Sequence, residues 1–251
     1  MQYGRTVKRT GGDLMLITKE RRKVALKGIG ISGGVATGRL CYFTRYTFDN
    51  MPETSDDPNR EIDKWINAVT TACEQLGRLS DVTKRRAGAG MAALFEAHLV
   101  MLSDVEFGDR VSEFIHSYGM SAETAIHKTA QEFYNMFAAM DDEYMSARCM
   151  DVIDIAIRVL SIMVGCEERF DDISPESIML SSFLTPSEAA NMMFSGVSGF
   201  VLSNADKNSH TAILARTLGV PLISGIDADR SFAYVGAEAT INGSTGEVKF
   251  I

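Results

Sequence analysis

The sequence predicts an α/β protein interrupted by an all-helical insert, and three observations carry that expectation. Glycine-punctuated apolar runs occupy residues 28–43, a helical period takes over from Asp57 to Gly165, and strand–helix alternation follows Phe170. Of the 251 residues, 45% are hydrophobic and 23% charged, which excludes a disordered or low-complexity chain and supplies enough apolar surface for a sizeable core. Because the first strand pair precedes the helices and the remaining strands follow them, the bundle reads as an insertion. The expected division is a basic leader at 1–26, an α/β unit of 27–50 plus 171–251, and a helical unit at 51–170.

The elements follow in order. The run Lys27–Phe43, short apolar stretches punctuated by glycine, reads as two strands around a tight turn, its glycines marking backbone that passes close to something. The run lacks the lysine and long helix of a phosphate-binding P-loop. Asp57-Pro58 is an N-cap with proline at the first helical position, and Ile62, Trp65, Ile66, Val69, Cys73 and Leu76 fall on one helical face. Leu94, Phe95, His98, Leu99 and Leu102 form a second apolar series. Ser103-Asp104-Val105-Glu106 predicts a capping box that opens a third helix, ending near Gly119. A fourth runs from Ala122 to Phe137, and a fifth is expected from Asp141-Asp142 to Gly165. Short connections make the five an antiparallel bundle. Beyond them, Ser177–Leu180, Gly199–Leu202, Pro221–Ile223, Glu238–Gly243 and Glu247–Phe250 read as strands. Helices begin at the Thr185-Pro186-Ser187-Glu188 capping box and at Ser209, the latter stopped by Gly219 and Pro221.

Charge and cysteine usage narrow the function classes. The net charge is −8, but residues 1–27 hold eight Lys/Arg against two acids, leaving 17 basic and 31 acidic residues in the rest. Such an acidic body disfavours nucleic acid and suits a basic partner. The leader is expected to be a flexible, solvated extension. Cys41, Cys73, Cys149 and Cys166 are widely spaced, and with four histidines no ligand pattern suggests a metal. No stretch approaches the roughly 18 apolar residues of a membrane span, and Leu14–Ile17 is too short for a secretory core. A cytoplasmic protein with reduced thiols is expected.

His210 is the principal candidate for chemistry. With Ser209 as N-cap it stands in the first turn of its helix, where the positive end of the dipole disfavours an imidazolium. The ring is therefore expected to be neutral and nucleophilic, beside backbone donors suited to a phosphoryl group. Lys207 and Arg216 are the nearest candidate cations, and Ser209 and Thr211 flank the ring. His98 lies on an apolar helical face and is expected to be a packed or hydrogen-bonded core residue. His116 and His127 read as surface residues.

The segment Gly199-Phe200-Val201 … Asn208-Ser209-His210-Thr211-Ala212-Ile213-Leu214-Ala215-Arg216 … Gly219-Val220-Pro221 resembles the phosphohistidine motif of phosphoenolpyruvate-utilising enzymes. Four further segments resemble, in the same order, enzyme I of the bacterial sugar phosphotransferase system within that family: Gly28–Gly38, Leu94–Leu102, Asp141–Tyr144 with Arg148 and Asp151-Val152, and Leu184–Glu188. The likeness covers roughly residues 27–251.

The resemblance implies a swivelling phosphohistidine α/β domain with an inserted helical bundle. It implies a phosphoryl relay: His210 takes phosphate on Nε2 and exchanges it with a histidine of an HPr-type carrier docked on the bundle. It also implies a phosphoenolpyruvate-binding barrel, with Mg2+, in cis or in trans. That barrel and its magnesium are expected outside these residues, which need no cofactor of their own. Several positions depart from the family pattern. Ala205 and Asp206 stand where two glycines are usual, Ala189 where threonine occurs, Gly33 where proline is usual, and Arg85–Ala92 is neutral to basic where the family is often acidic. An inward carboxylate at Asp206 would oppose an incoming phosphate. The contrasting reading is an enzyme I-like binding or regulatory module that has lost the chemistry.

Overall fold

A computed structural model describes residues 25–43, 51–142, 145, 148–165 and 173–251. The expectations for the leader therefore fall outside the described residues, apart from Ala25 and Leu26. The chain opens with β1 (Ala25–Lys27), β2 (Ile29–Ser32) and β3 (Val35–Tyr42). Five helices follow: α1 (Pro58–Ala87), α2 (Ala89–Leu102), α3 (Val105–Tyr118), α4 (Ala122–Ala138) and α5 (Cys149–Met163). The second half alternates β4 (Ile178–Ser181), α6 (Pro186–Phe194), β5 (Gly199–Leu202), α7 (His210–Leu218), β6 (Leu222–Ser224) and the short α8 (Ala228–Ser231). The chain ends in the hairpin β7 (Glu238–Asn242) and β8 (Glu247–Phe250).

The strands form one sheet in the order β1-β8-β7-β3-β4-β5-β6-β2. Strands β3 to β6 run parallel, and the remaining pairs are antiparallel. All five helices lie in sequence between β3 and β4, which nevertheless pair directly through Leu40↔Ile178 and Cys41↔Met179. Strand periodicity divides the core in two. Ile178, Leu180, Val201, Ile223, Ile241 and Val248 pack on one face of the sheet, while Met179, Phe200, Leu202 and Leu222 join the helical core on the other. Parallel strands covered on both faces need apolar residues at every position, which explains their short unbroken runs.

The first strand pair does not form a hairpin. Strand β2 pairs with β6, while β3 pairs with β7 and β4. The two ends of the strand order, β1 and β2, are separated in the chain only by Gly28, so one bent segment joins both ends of the sheet. The bend is possible because the backbones meet where side chains are missing: a Cβ on Gly243 would collide with the Ser32 carbonyl, and one on Gly30 with the Gly243 carbonyl.

Three helical features differ from the sequence expectation. The buried face of α1 is Trp65, Ala68, Ala72, Leu76 and Leu79, and Ile66 is 52% exposed. Small residues mark this face because α1 packs closely along its neighbours, so the strongest hydrophobes are a poor guide to it. The cap of α3 is Asp104, which accepts from Glu106 N–H at 2.8 Å and Phe107 N–H at 3.1 Å; Ser103 instead ends α2. Asp142 Oδ1 accepts from Met145 N–H at 2.9 Å, a cap at the expected place, but α5 proper begins at Cys149. The Thr185–Glu188 capping box is present in both directions.

Replacing Gly243 with alanine is expected to cost about 1–3 kcal/mol, the usual penalty for overpacking. Urea denaturation would measure it, and an unchanged midpoint would contradict the close crossing.

Candidate functional site

His210 opens α7, and the local sequence fixes it there. Ser209 is the N-cap: its hydroxyl oxygen accepts from Ala212 N–H at 3.2 Å and its O–H donates to the Asp206 carbonyl at 2.8 Å. Gly219, in the left-handed region at φ 68°, closes the other end. The loop before the helix is pinned by Ala205 N–H, which donates to Ser224 Oγ at 2.8 Å. The Asp206 carboxylate accepts from Asn208 N–H at 2.6 Å, so it serves the turn of its own loop. This is the group that takes the place of a glycine in the family pattern.

The other residues singled out in the sequence have separate surroundings. Lys207 is exposed on the same loop. Thr211 is buried and points its hydroxyl at the Leu184 carbonyl, 3.5 Å away. Arg216 reaches back along α7, donating to the Lys207 carbonyl at 2.8 Å and the Ile31 carbonyl at 3.4 Å. Its guanidinium thus braces the loop against β2.

The charges that act on His210 come from the helical insert. Partial burial is the largest influence and lowers its pKa from the ordinary imidazole value of 6.5. Asp151 pulls in the opposite direction, and His98 and Arg148 lower it further. The side chain as a whole is exposed, so water screens part of each effect. Arg148, rather than Lys207 or Arg216, is the cation whose field reaches the ring.

Behind the ring lies a buried polar cluster. His98 Nε2 is 3.3 Å from Asp151 Oδ1, and His98 Nδ1 is 3.9 Å from Asp154 Oδ2. The first is close enough for strong charge coupling, although it misses good hydrogen-bond alignment. Arg148 Nη1 donates to Asp151 Oδ2 at 3.1 Å. Asp154 accepts from Ser187 Oγ–H at 2.7 Å and from Ser187 N–H at 2.9 Å, which ties α5 to the first turn of α6. Burial alone would raise the Asp151 pKa, but the adjacent His98 imidazole, with further help from His210 and Arg148, holds it low.

Sequence reasoning placed His98 correctly as a core histidine and missed its carboxylate partners. The available signal was Asp151 and Asp154, two acids three residues apart on a face otherwise made by Val152, Ile155 and Val159. His116 and His127 are exposed, as expected.

The cited influences place the His210 midpoint below 6.5, so the ring is neutral at pH 7 and gains its proton only in more acidic solution. Titration of the His210 ring by NMR checks this, and a midpoint at or above 6.5 would contradict it.

Comparison with known proteins agrees with this arrangement. The profile of the PEP-utilising enzyme N-terminal region matches residues 27–148, and that of the PEP-utilising enzyme mobile domain matches residues 173–246. Phosphoenolpyruvate-protein phosphotransferase of Bacillus subtilis (strain 168) is 32% identical over 224 residues, and that of Staphylococcus carnosus (strain TM300) is 31% identical over 226. Each alignment covers 89% of this chain, and the chain spans only 39% of the length of these curated relatives. A solution NMR structure of Enzyme I (nEIt) superposes with a TM-score of 0.76 at 28% identity, covering 90% of this chain and 92% of that one. With both family regions in order and the α/β frame and helical insert matched together, the chain belongs to the phosphoenolpyruvate-utilising enzyme family, as a relative of the amino-terminal part of enzyme I.

Proposed function

We propose that this chain is a phosphoryl relay of the phosphoenolpyruvate-dependent sugar phosphotransferase system. It carries phosphate on His210 and exchanges it with a histidine of an HPr-type carrier. The observation that carries the reading is an exposed imidazole, biased to its neutral form, at the start of a capped helix and backed by buried Asp151. A neutral ring nitrogen offers its lone pair to phosphorus. As that P–N bond forms, the bond to the carrier's histidine breaks; the departing ring keeps the electron pair and takes up a proton, while the His210 ring releases to water the proton on its other nitrogen. The first amides of α7 have no partner within the helix and face a positive dipole end, which suits the dianion left on His210. Arg148 adds a cation on the insert side.

The supply of phosphate from phosphoenolpyruvate belongs to the same proposal, with a barrel domain and Mg2+ in cis or in trans, as the relatives' name suggests. The working division is 27–50 plus 171–251 as the phosphohistidine unit and 51–170 as the partner-binding unit. The placement of five described helices between paired strands supports it, and the start of the mobile-domain profile at residue 173 lies near the second boundary. No helix among the described residues is long and apolar enough to cross a membrane, and we place the protein in the cytoplasm.

The carrier surface is best supplied by the α2–α3 corner. Val100 and Val105 are 70% and 73% exposed there, and the exposed acids Glu96, Asp104, Glu106 and Asp109 accompany them. Arg110, the neighbouring cation, is held by Glu113 at 2.6 Å and Glu132 at 2.7 Å. Apolar contacts ringed by acids suit a basic carrier, with charge mainly accelerating encounter. The basic Arg85-Arg86 pair lies elsewhere, at the end of α1, where Arg86 donates to the Phe194 carbonyl of α6.

His210→Ala is expected to abolish acceptance of acid-labile phosphate from phosphorylated HPr while leaving the circular dichroism spectrum unchanged. Wild-type protein that accepts no phosphate would favour the binding-module reading. Val105→Glu is expected to weaken carrier binding by roughly tenfold, the loss of one well-buried contact. Isothermal titration with HPr measures it, and an unchanged affinity would move the docking surface away from this corner.

A further inference from the structure

A cleft of about 490 Å³ opens between α1, α5 and α6. Among the described residues three arginines line it: Arg78 and Arg86 from α1, two turns apart, and Arg158 from α5. Two carboxylates share the wall, but both serve local donors. Asp154 accepts from the Ser187 amide and hydroxyl, and Glu188 Oε2 accepts from Thr185 N–H at 2.7 Å. Both Asp154 oxygens and Glu188 Oε2 are engaged, and among the described residues the arginines outnumber these acids.

The geometry of Arg158 says more than the count of charges. One arm of its guanidinium is fixed, Nη1 donating to Gln75 Oε1 at 2.7 Å. Its Nε is buried and has no hydrogen-bond partner among the described residues. A buried N–H of a permanent cation without an acceptor is costly, and such groups in native proteins generally meet one. Arg86 is also held in place, over the Phe194 ring at 5.3 Å and against the Phe194 carbonyl at 3.2 Å. Two of the three forks are therefore arranged before any ligand arrives, which lowers the entropy lost on binding. Planar forks of this kind match the oxygens of a phosphate.

We propose that this cleft is a binding site for a small phosphate dianion, either free phosphate or a phosphate monoester of a size that the cavity holds. The site is separate from His210 and does not depend on the relay reading. The cleft and the phosphohistidine region meet at one residue: Asp154 lines the cleft and stands 3.9 Å from His98.

The test is an amide NMR titration of the whole chain with inorganic phosphate and, separately, with glycerol 3-phosphate, at constant ionic strength held with chloride. Expected are saturable shifts confined to residues 75–86, 154–162 and 185–195, with affinity falling by about tenfold or more in Arg158→Met, the loss of one charge-assisted hydrogen bond. Arg158→Lys, which keeps the charge without the fork, is expected to recover only part of that affinity. Saturation by phosphate alone identifies the free ion as occupant, and tighter binding of the ester identifies a phosphorylated metabolite. Should Arg158→Met fold poorly, Arg86→Met at the edge of the cleft carries the same comparison. Shifts that remain linear into the tens of millimolar for both ligands, or affinities unchanged in the folded arginine variants, overturn the proposal. His210→Ala should bind as wild type does, so failure here is distinguishable from failure of the relay.

Discussion

The contact on which the arrangement depends is that of Asp154 with Ser187. A buried carboxylate is tolerated only when its oxygens are satisfied, and here a helix start supplies both an N–H and an O–H. The acceptor belongs to the helical insert and the donors to the first turn of α6, so the cost of burying the charge is offset only while the two layers stay together. His98 and Asp151 extend the same cluster toward His210. His210 thus depends on the layer interface for its electrostatic setting, and any movement of the insert against the sheet would alter the charges that the ring experiences.

A second constraint works at the far end of the insert. Glu61, in the first turn of α1, is buried and accepts from Ala122 N–H at 2.7 Å, giving α4 a cap from another helix. This cross-helix cap and the Asp154 contact are alike in kind, each placing an acid where a helix start presents free donors. The bundle is therefore oriented by a few directed polar contacts as well as by its apolar core, whose small residues along α1 would by themselves allow sliding.

Much of the fold was legible in the sequence because its signals are local. Capping residues such as Thr185 and Ser209, stop signals such as Gly219, and the change from strand to helical period each act within a few residues, and each marks a boundary seen in the structure. What escaped is non-local. Nothing near Gly28 shows that β1 and β2 part company to reach opposite ends of the sheet, because that depends on β6 and β8, some two hundred residues away. Ile66 looked like core because hydrophobicity was weighed without knowing how closely α1 is packed. His210 was readable from its place at a helix start, whereas the influence of Asp151 and Arg148 on it arises from a different element altogether.

The outermost strands, β1 and β2, are three and four residues long and are joined through Gly28. Edges this short give another polypeptide very little ladder to extend. The bent opening segment therefore closes the sheet and, at β2, leaves a border of only four residues for strand addition.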